Sequence, residues 1–171
     1  VVCMATATDS DGGKTTLETS ITVDNTDPTV DSHSISPATD VVTSSTLTCS
    51  ATASDADGGT PSLAYQWTNT AGTSLGTNAT VTLTPGTSAP GDTISCAVTA
   101  SDIHGGTATS TASVTVTNTD PTIDSVTISP NTGVTTSTAL TCAATASDSD
   151  GGSPSISYAW TDGVGNSLGS G

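Results

Sequence analysis

Thr46-Leu47-Thr48-Cys49-Ser50-Ala51-Thr52-Ala53-Ser54 alternates apolar and hydroxylated side chains without a break. A period of two places Leu47, Cys49, Ala51 and Ala53 on one face of an extended chain and the hydroxyls on the other, which is the pattern of a half-buried strand. Downstream, Ile94, Cys96, Val98 and Ala100 alternate in the same way, and between the two stretches Leu63, Tyr65 and Trp67 share a face. Working outward, 32–36, 79–84 and 107–117 also read as strands. The intervening segments are DADGGTP at 55–61, NTAGTSLGTN at 69–78 with room for a short edge strand, PGTSAPGD at 85–92 and DIHGG at 102–106. Their Gly, Pro, Asn and Asp residues mark turns. Six or seven short strands in about 90 residues, with turn signals every 8–12, predict an all-β fold made of two packed sheets.

The pattern recurs. Cys3 and Cys96, Asp27 and Asp120, Cys49 and Cys142, Asp57 and Asp150, and Trp67 and Trp160 are each separated by 93 positions, with no insertion or deletion. A fixed period marks an array of structural units, and this one is too long for a solenoid turn but suits a small domain. The chain therefore divides into residues 1–27, the C-terminal part of one repeat; 28–120, a complete repeat; and 121–171, the N-terminal part of another.

One Lys+Arg against 16 Asp+Glu gives a formal charge of −15, so nucleic acid and anionic membrane are disfavoured as partners by repulsion. No stretch approaches the roughly 20 apolar residues of a membrane helix, so membrane insertion is not expected. Low hydrophobicity with high charge also describes disordered chains, but the alternation, the Trp pair and the regular Cys argue for folding. Val1 sits inside a repeat rather than in a leader, and targeting information is expected elsewhere in the gene.

Cys49, Trp67 and Cys96, with GDTISC at 91–96, resemble the Cys, Trp, Cys framework of immunoglobulin-like domains. The acidic DxDGG loop, the second Asp-Gly loop and the Asn/Asp-Pro linker are similar to the tandem repeats of secreted bacterial surface proteins of cadherin-like and PKD type. The resemblance implies tandem two-sheet β-sandwiches and an inter-sheet Cys49–Cys96 disulfide, with two buried thiols as the alternative. A disulfide matters most where the core lacks Phe, and it implies an oxidising, extracellular or cell-surface location. Cys3 and Cys142 are each half of such a pair. They lie on opposite sides of the complete repeat and are expected to bond between copies or with the missing halves of their own repeats. Residues 1–27 and 121–171 are complementary portions of one sandwich, so either the sequence is cut from a longer array or successive copies complete one another head to tail.

In cadherin-like repeats the matching loop and linker positions hold Ca²⁺. That resemblance implies a site from Asn25, Asp27, Asp55, Asp57 and Asp102 at the first joint and from Asn118, Asp120, Asp148 and Asp150 at the second. Hard oxygen donors from three segments suit this ion. The alternative is that Asp-Gly-Gly segments are simply good turns. Asn78-Ala79-Thr80 is an N-glycosylation sequon, and the Ser/Thr-rich outer faces are of the kind that accept O-glycans. His33 and His104 carry less weight; His104 sits beside the acidic loop, where it could ligate a metal, but reads first as an exposed loop histidine. No GxSxG elbow or other catalytic arrangement stands out, and no catalytic residue is assigned. The expected role is structural: an extracellular tandem-repeat stalk, sheath or filament whose units self-associate. The rivals are an adhesin or glycan-binding array and, more remotely, the spacer arm of a secreted enzyme.

Overall fold

The computed structural model describes residues 1–170, which form strands and turns with no helix among them. In chain order the strands are β1 (Val2–Thr8), β2 (Lys14–Ser20), β3 (Thr29–Ser36), β4 (Thr46–Ser54), β5 (Ser62–Thr68), β6 (Ser74–Gly76), β7 (Thr80–Thr82), β8 (Thr93–Ser101), β9 (Thr107–Thr115), β10 (Thr122–Ser129), β11 (Thr141–Ser147), β12 (Ala159–Thr161) and β13 (Ser167–Ser170). Within 28–120 they make one sheet ordered β3-β4-β7 and a second ordered β6-β5-β8-β9, with all neighbours antiparallel. Val41 forms an isolated parallel bridge with Val116 and accepts the backbone N–H of Thr117, so the chain after β3 crosses to the edge of the second sheet.

The alternation read from the sequence becomes the core. Leu47 and Cys49 from β4 face Ile94, Cys96, Val98 and Ala100 from β8, and all six are buried. Trp67 is fully buried between them, and its indole N–H donates to the Asn78 carbonyl at 2.9 Å, so the ring is buried without an orphaned polar atom. The Cys49–Cys96 disulfide spans the two sheets with the Cα atoms 6.5 Å apart. Outward-facing hydroxyls meet across strands, as in Ser32–Thr52 at 2.7 Å and Thr46–Thr82 at 3.0 Å. Thr thus does two jobs here, since its branch suits the pleat and its oxygen ties neighbouring strands.

One detail departs from simple alternation. β3 begins at Thr29 rather than at Ser32, and a bulge between Val30 and Ser32 shifts the register. An extra residue on one strand re-aims the side chains beyond it. Val30 and His33, three apart, both turn inward and are half-buried.

The flanking segments repeat this geometry without its cover. β1–β2 has the β8–β9 register, with Cys3 opposite Thr19 as Cys96 is opposite Ala112. β10–β11 has the β3–β4 register, including the same bulge, now between Ile123 and Ser125. Every residue of 1–27 is exposed, and none of 121–170 is fully buried. Cys3 and Cys142 are free thiols.

Two outcomes follow for the central sandwich. Replacing Cys49 and Cys96 together by Ala lowers the unfolding free energy in urea by about 4 kcal/mol, the chain-entropy value for a loop of this size; a loss below about 1 kcal/mol contradicts that account. Trp67→Ala costs about 3–5 kcal/mol in the same assay.

Candidate functional site

The loops singled out by their Asp-Gly content gather where one repeat meets the next. Asp55 Oδ1 accepts the N–H of Asp57 at 2.8 Å, which closes an Asx turn. Gly58 and Gly59 follow with φ of 90° and 93°, a left-handed conformation that a side chain resists. This turn aims the Asp57 carboxylate at the linker. There it accepts the Thr26 N–H at 2.5 Å and the Thr26 hydroxyl at 3.3 Å.

One period later the same Asx turn and Thr–Asp pair recur. Asp148 Oδ1 accepts the Asp150 N–H at 2.8 Å, and Asp150 accepts the Thr119 N–H at 2.5 Å and the Thr119 hydroxyl at 3.3 Å. Here the preceding sandwich also contributes. Thr43, which is 1% exposed, donates its hydroxyl to Asp150 Oδ1 at 2.8 Å, and the position of a Cβ on Gly151 lies 3.1 Å from Pro85 Cβ. One carboxylate thus ties a linker to two successive units. Thr136, the counterpart of Thr43, is exposed.

The second loop clamps the first joint. Asp102 Oδ1 accepts the N–H groups of His104 and Gly106, both at 2.8 Å, and Oδ2 accepts the Asn25 amide at 2.9 Å. Asp102 Oδ2, Asp27 Oδ1 and Asn25 Nδ2 all lie within 2.8 Å of the place a Cβ would occupy on Gly106, so only glycine fits. Asp55, Asp102 and His104 line a cleft of about 40 Å³ beside it. A wider opening of about 350 Å³ is lined by Val23, Asp24, Asn25, Asp57 and His104.

Asn25, Asp27, Asp55, Asp57 and Asp102 are therefore brought to one end of the sandwich. At the exit Asp148 and Asp150 join Asn118, whose amide donates to the Thr119 carbonyl at 3.1 Å, while Asp120 is exposed in the linker. The donors are of the oxygen class that Ca²⁺ prefers. They are also engaged by N–H and O–H donors, and among the described residues the acidic loops do not bring three carboxylates within 4.8 Å of one another. The group that does converge at that distance is His33, Cys49 and Cys96. Its sulfurs are spent on the disulfide, and soft donors of that kind have no bearing on Ca²⁺.

His33 was not legible as an inward residue. Its Nε2 lies 3.2 Å from Cys49 Sγ and its Nδ1 lies 3.1 Å from Ser110 Oγ, while burial holds its pKa below the ordinary value. The available signal was the repeat itself, which carries Val126 at the matching position. Asn78 of the sequon is exposed. Comparison with protein-family models, curated proteins and solved structures finds no match.

The electrostatics of the clamps set a pH window. The Asn25 amide, aided by the N–H groups of Gly106, His104 and Gly105, holds Asp102 below the ordinary carboxylate value of 3.8 against the cost of desolvation. The Thr119 N–H, then the hydroxyls of Thr43 and Thr119, do the same for Asp150. A carboxylate whose pKa is depressed by folding contributes its full stabilisation above its unfolded value and loses it as pH falls through the folded one. Nuclear magnetic relaxation should therefore show ordered joints at neutral pH that loosen only below about pH 4. Gly106→Ala should release the Asn25–Asp102 clamp at neutral pH, read as new backbone mobility at 24–27 while the sandwich core keeps its amide protection.

Proposed function

We propose that this chain is a structural, distance-holding piece of an extracellular tandem-repeat assembly, a stalk, sheath or filament of immunoglobulin-like sandwiches. The observation that carries the reading is the repetition of the joint: Thr26 with Asp57 and Thr119 with Asp150 make the same two hydrogen bonds at the same distances, 93 positions apart. A linker fixed in the same way at every junction sets a constant relation between neighbours, which suits a shaft and is wasted on independently swivelling binding modules. The buried disulfide supports an oxidising location. No helix of the described residues is long and apolar enough to cross a membrane.

Calcium belongs to this reading as an addition. Asp27 and Asp102, whose carboxylate oxygens are neighbours at Gly106, together with Asn25 and Asp55, would hold the ion at the entering joint. There it would offset the repulsion between carboxylates and stiffen a contact that hydrogen bonds already define. The isolated chain should accordingly melt at a lower temperature in excess chelator; an unchanged transition removes calcium and leaves the joints as they are.

The mechanical reading is tested by small-angle X-ray scattering. The wild-type chain should give the profile of a single extended arrangement, and Asp57→Asn with Asp150→Asn should broaden it toward a mixture of bent forms. A wild-type profile already that broad overturns the proposal. Binding of the dispersed chain to a glycan array would favour the adhesin reading instead.

A further inference from the structure

Two departures from the 93-residue repeat touch each other in the central sandwich. His33 stands where the next repeat carries Val126, and Ser110 stands where the preceding repeat carries Leu17. The imidazole Nδ1 lies 3.1 Å from Ser110 Oγ, and Nε2 lies 3.2 Å from Cys49 Sγ. The bulge between Val30 and Ser32 is what turns this ring toward the core, where alternation alone would not have put it.

The placement gathers donors of one chemical class. His33, Cys49 and Cys96 each bring a ligand atom within 4.8 Å of the other two, and both sulfurs are buried. Imidazole nitrogen and thiolate sulfur are the ligands of thiophilic ions. Sulfurs bonded to each other hold no such ion, but the dithiol offers both. Two Zn–S bonds of about 2.3 Å at the tetrahedral angle set the sulfurs about 3.8 Å apart. The strands hold the Cα atoms 6.5 Å apart, near the upper end of the roughly 4.4–6.8 Å that a disulfide spans. Rotation of the two side chains therefore supplies that separation with the sheets in place.

We propose that His33, Cys49 and Cys96, once the bond is reduced to two thiols, form a buried zinc site, so that the ion and the disulfide are alternative occupants of one place in the core. Charge selects the ion. Two thiolates neutralise a dication and the imidazole is neutral, so the core takes up no net charge, whereas monovalent copper would leave a negative charge buried. Ser110 is a positioning residue: with its Oγ accepting from Nδ1–H, the Nε2 lone pair faces the sulfurs. β3 and β9 are edge strands of their sheets, so the half-buried His33 stands where the core opens to solvent. The ion enters on that side, and a water there completes four ligands.

The exchange balances. A phosphine takes an oxygen from water and becomes its oxide, while the Sγ–Sγ bond breaks and gains two electrons and two protons to give the thiols. Zinc then replaces both thiol protons, which pass to the buffer. The site belongs to the chain in its thiol form, before an oxidising environment closes the bond, and it does not depend on the mechanical role of the joints.

The experiment uses the 171-residue chain with Cys3→Ser and Cys142→Ser, which removes the two free thiols. The chain is reduced with a phosphine and titrated with Co²⁺, the optical stand-in for zinc. One Co²⁺ per chain should give thiolate-to-cobalt charge-transfer bands and tetrahedral visible bands, and zinc should abolish both. The same chain with its disulfide intact should give neither, which separates this site from the acidic loops. If reduction alone loosens the sandwich, zinc should restore the amide protection of β8, because binding and folding are then one step. His33→Val, the residue of the next repeat, and His33→Gln, which keeps a polar partner for Ser110, should each weaken cobalt binding about a hundredfold or more. Ser110→Ala should weaken it about tenfold with the same bands. A reduced chain without charge-transfer bands, or bands and affinity that both His33 variants leave unchanged, overturns the site. An unchanged affinity in Ser110→Ala overturns the positioning role.

Discussion

The Cys49–Cys96 bond, with Trp67 lodged beside it, is what allows sheets this poor in large apolar side chains to close. The sequence has no Phe, and the rest of the core is Val, Leu, Ile and Ala. Such residues bury little area each, so the covalent tie lowers the entropy of the unfolded chain where the hydrophobic term is thin. Everything else is arranged around it. The two cystine strands are the central strand of the first sheet and a central strand of the second, the indole fills the space beside the sulfurs, and the loops that follow the two cystine strands, the first of which leads into the Trp strand, come out at the end where the linker enters.

The outer surface is built on a different economy. Hydroxyls facing water pair across strands, and carboxylates in the loops accept backbone N–H groups before they do anything else. That is how a chain with a formal charge of −15 holds loops rich in aspartate against one another. Asp55, Asp57, Asp102, Asp148 and Asp150 are each placed against oriented N–H dipoles, and those small attractions offset repulsion that salt screens at a distance. The joints are the places where this arrangement crosses from one unit to the next, with Asp57 and Asp150 as the shared acceptors.

Much of the architecture was legible because it is written in period two and period 93. Alternation at 46–54 and 94–100 gave both core strands and the facing sulfurs, and the turn residues gave the loops. Strand limits were less legible: β3 starts earlier than its pattern indicates because a bulge at Asp31 resets which residues face inward, and that reset also hid His33. Of the joint, Asn25, Asp57, Asp102 and Asp150 were readable as polar loop positions. Thr43 was not, since a threonine among so many carries no mark of its own, and only the approach of the next unit turns it into a buried donor.

The Thr–Asp pair recurs at both joints, 93 positions apart. Any operation that carries one rigid body onto the next, repeated without variation, generates a screw axis. Thr26–Asp57 and Thr119–Asp150 each fix a linker on the unit that follows it, and Thr43 with Asp150 reaches back to the unit before; were that last contact repeated at every joint, an array would keep one pitch and one handedness and its reach would grow in direct proportion to the number of modules. A single altered linker would put a local elbow in an otherwise regular helix, leaving the rise of every other step unchanged.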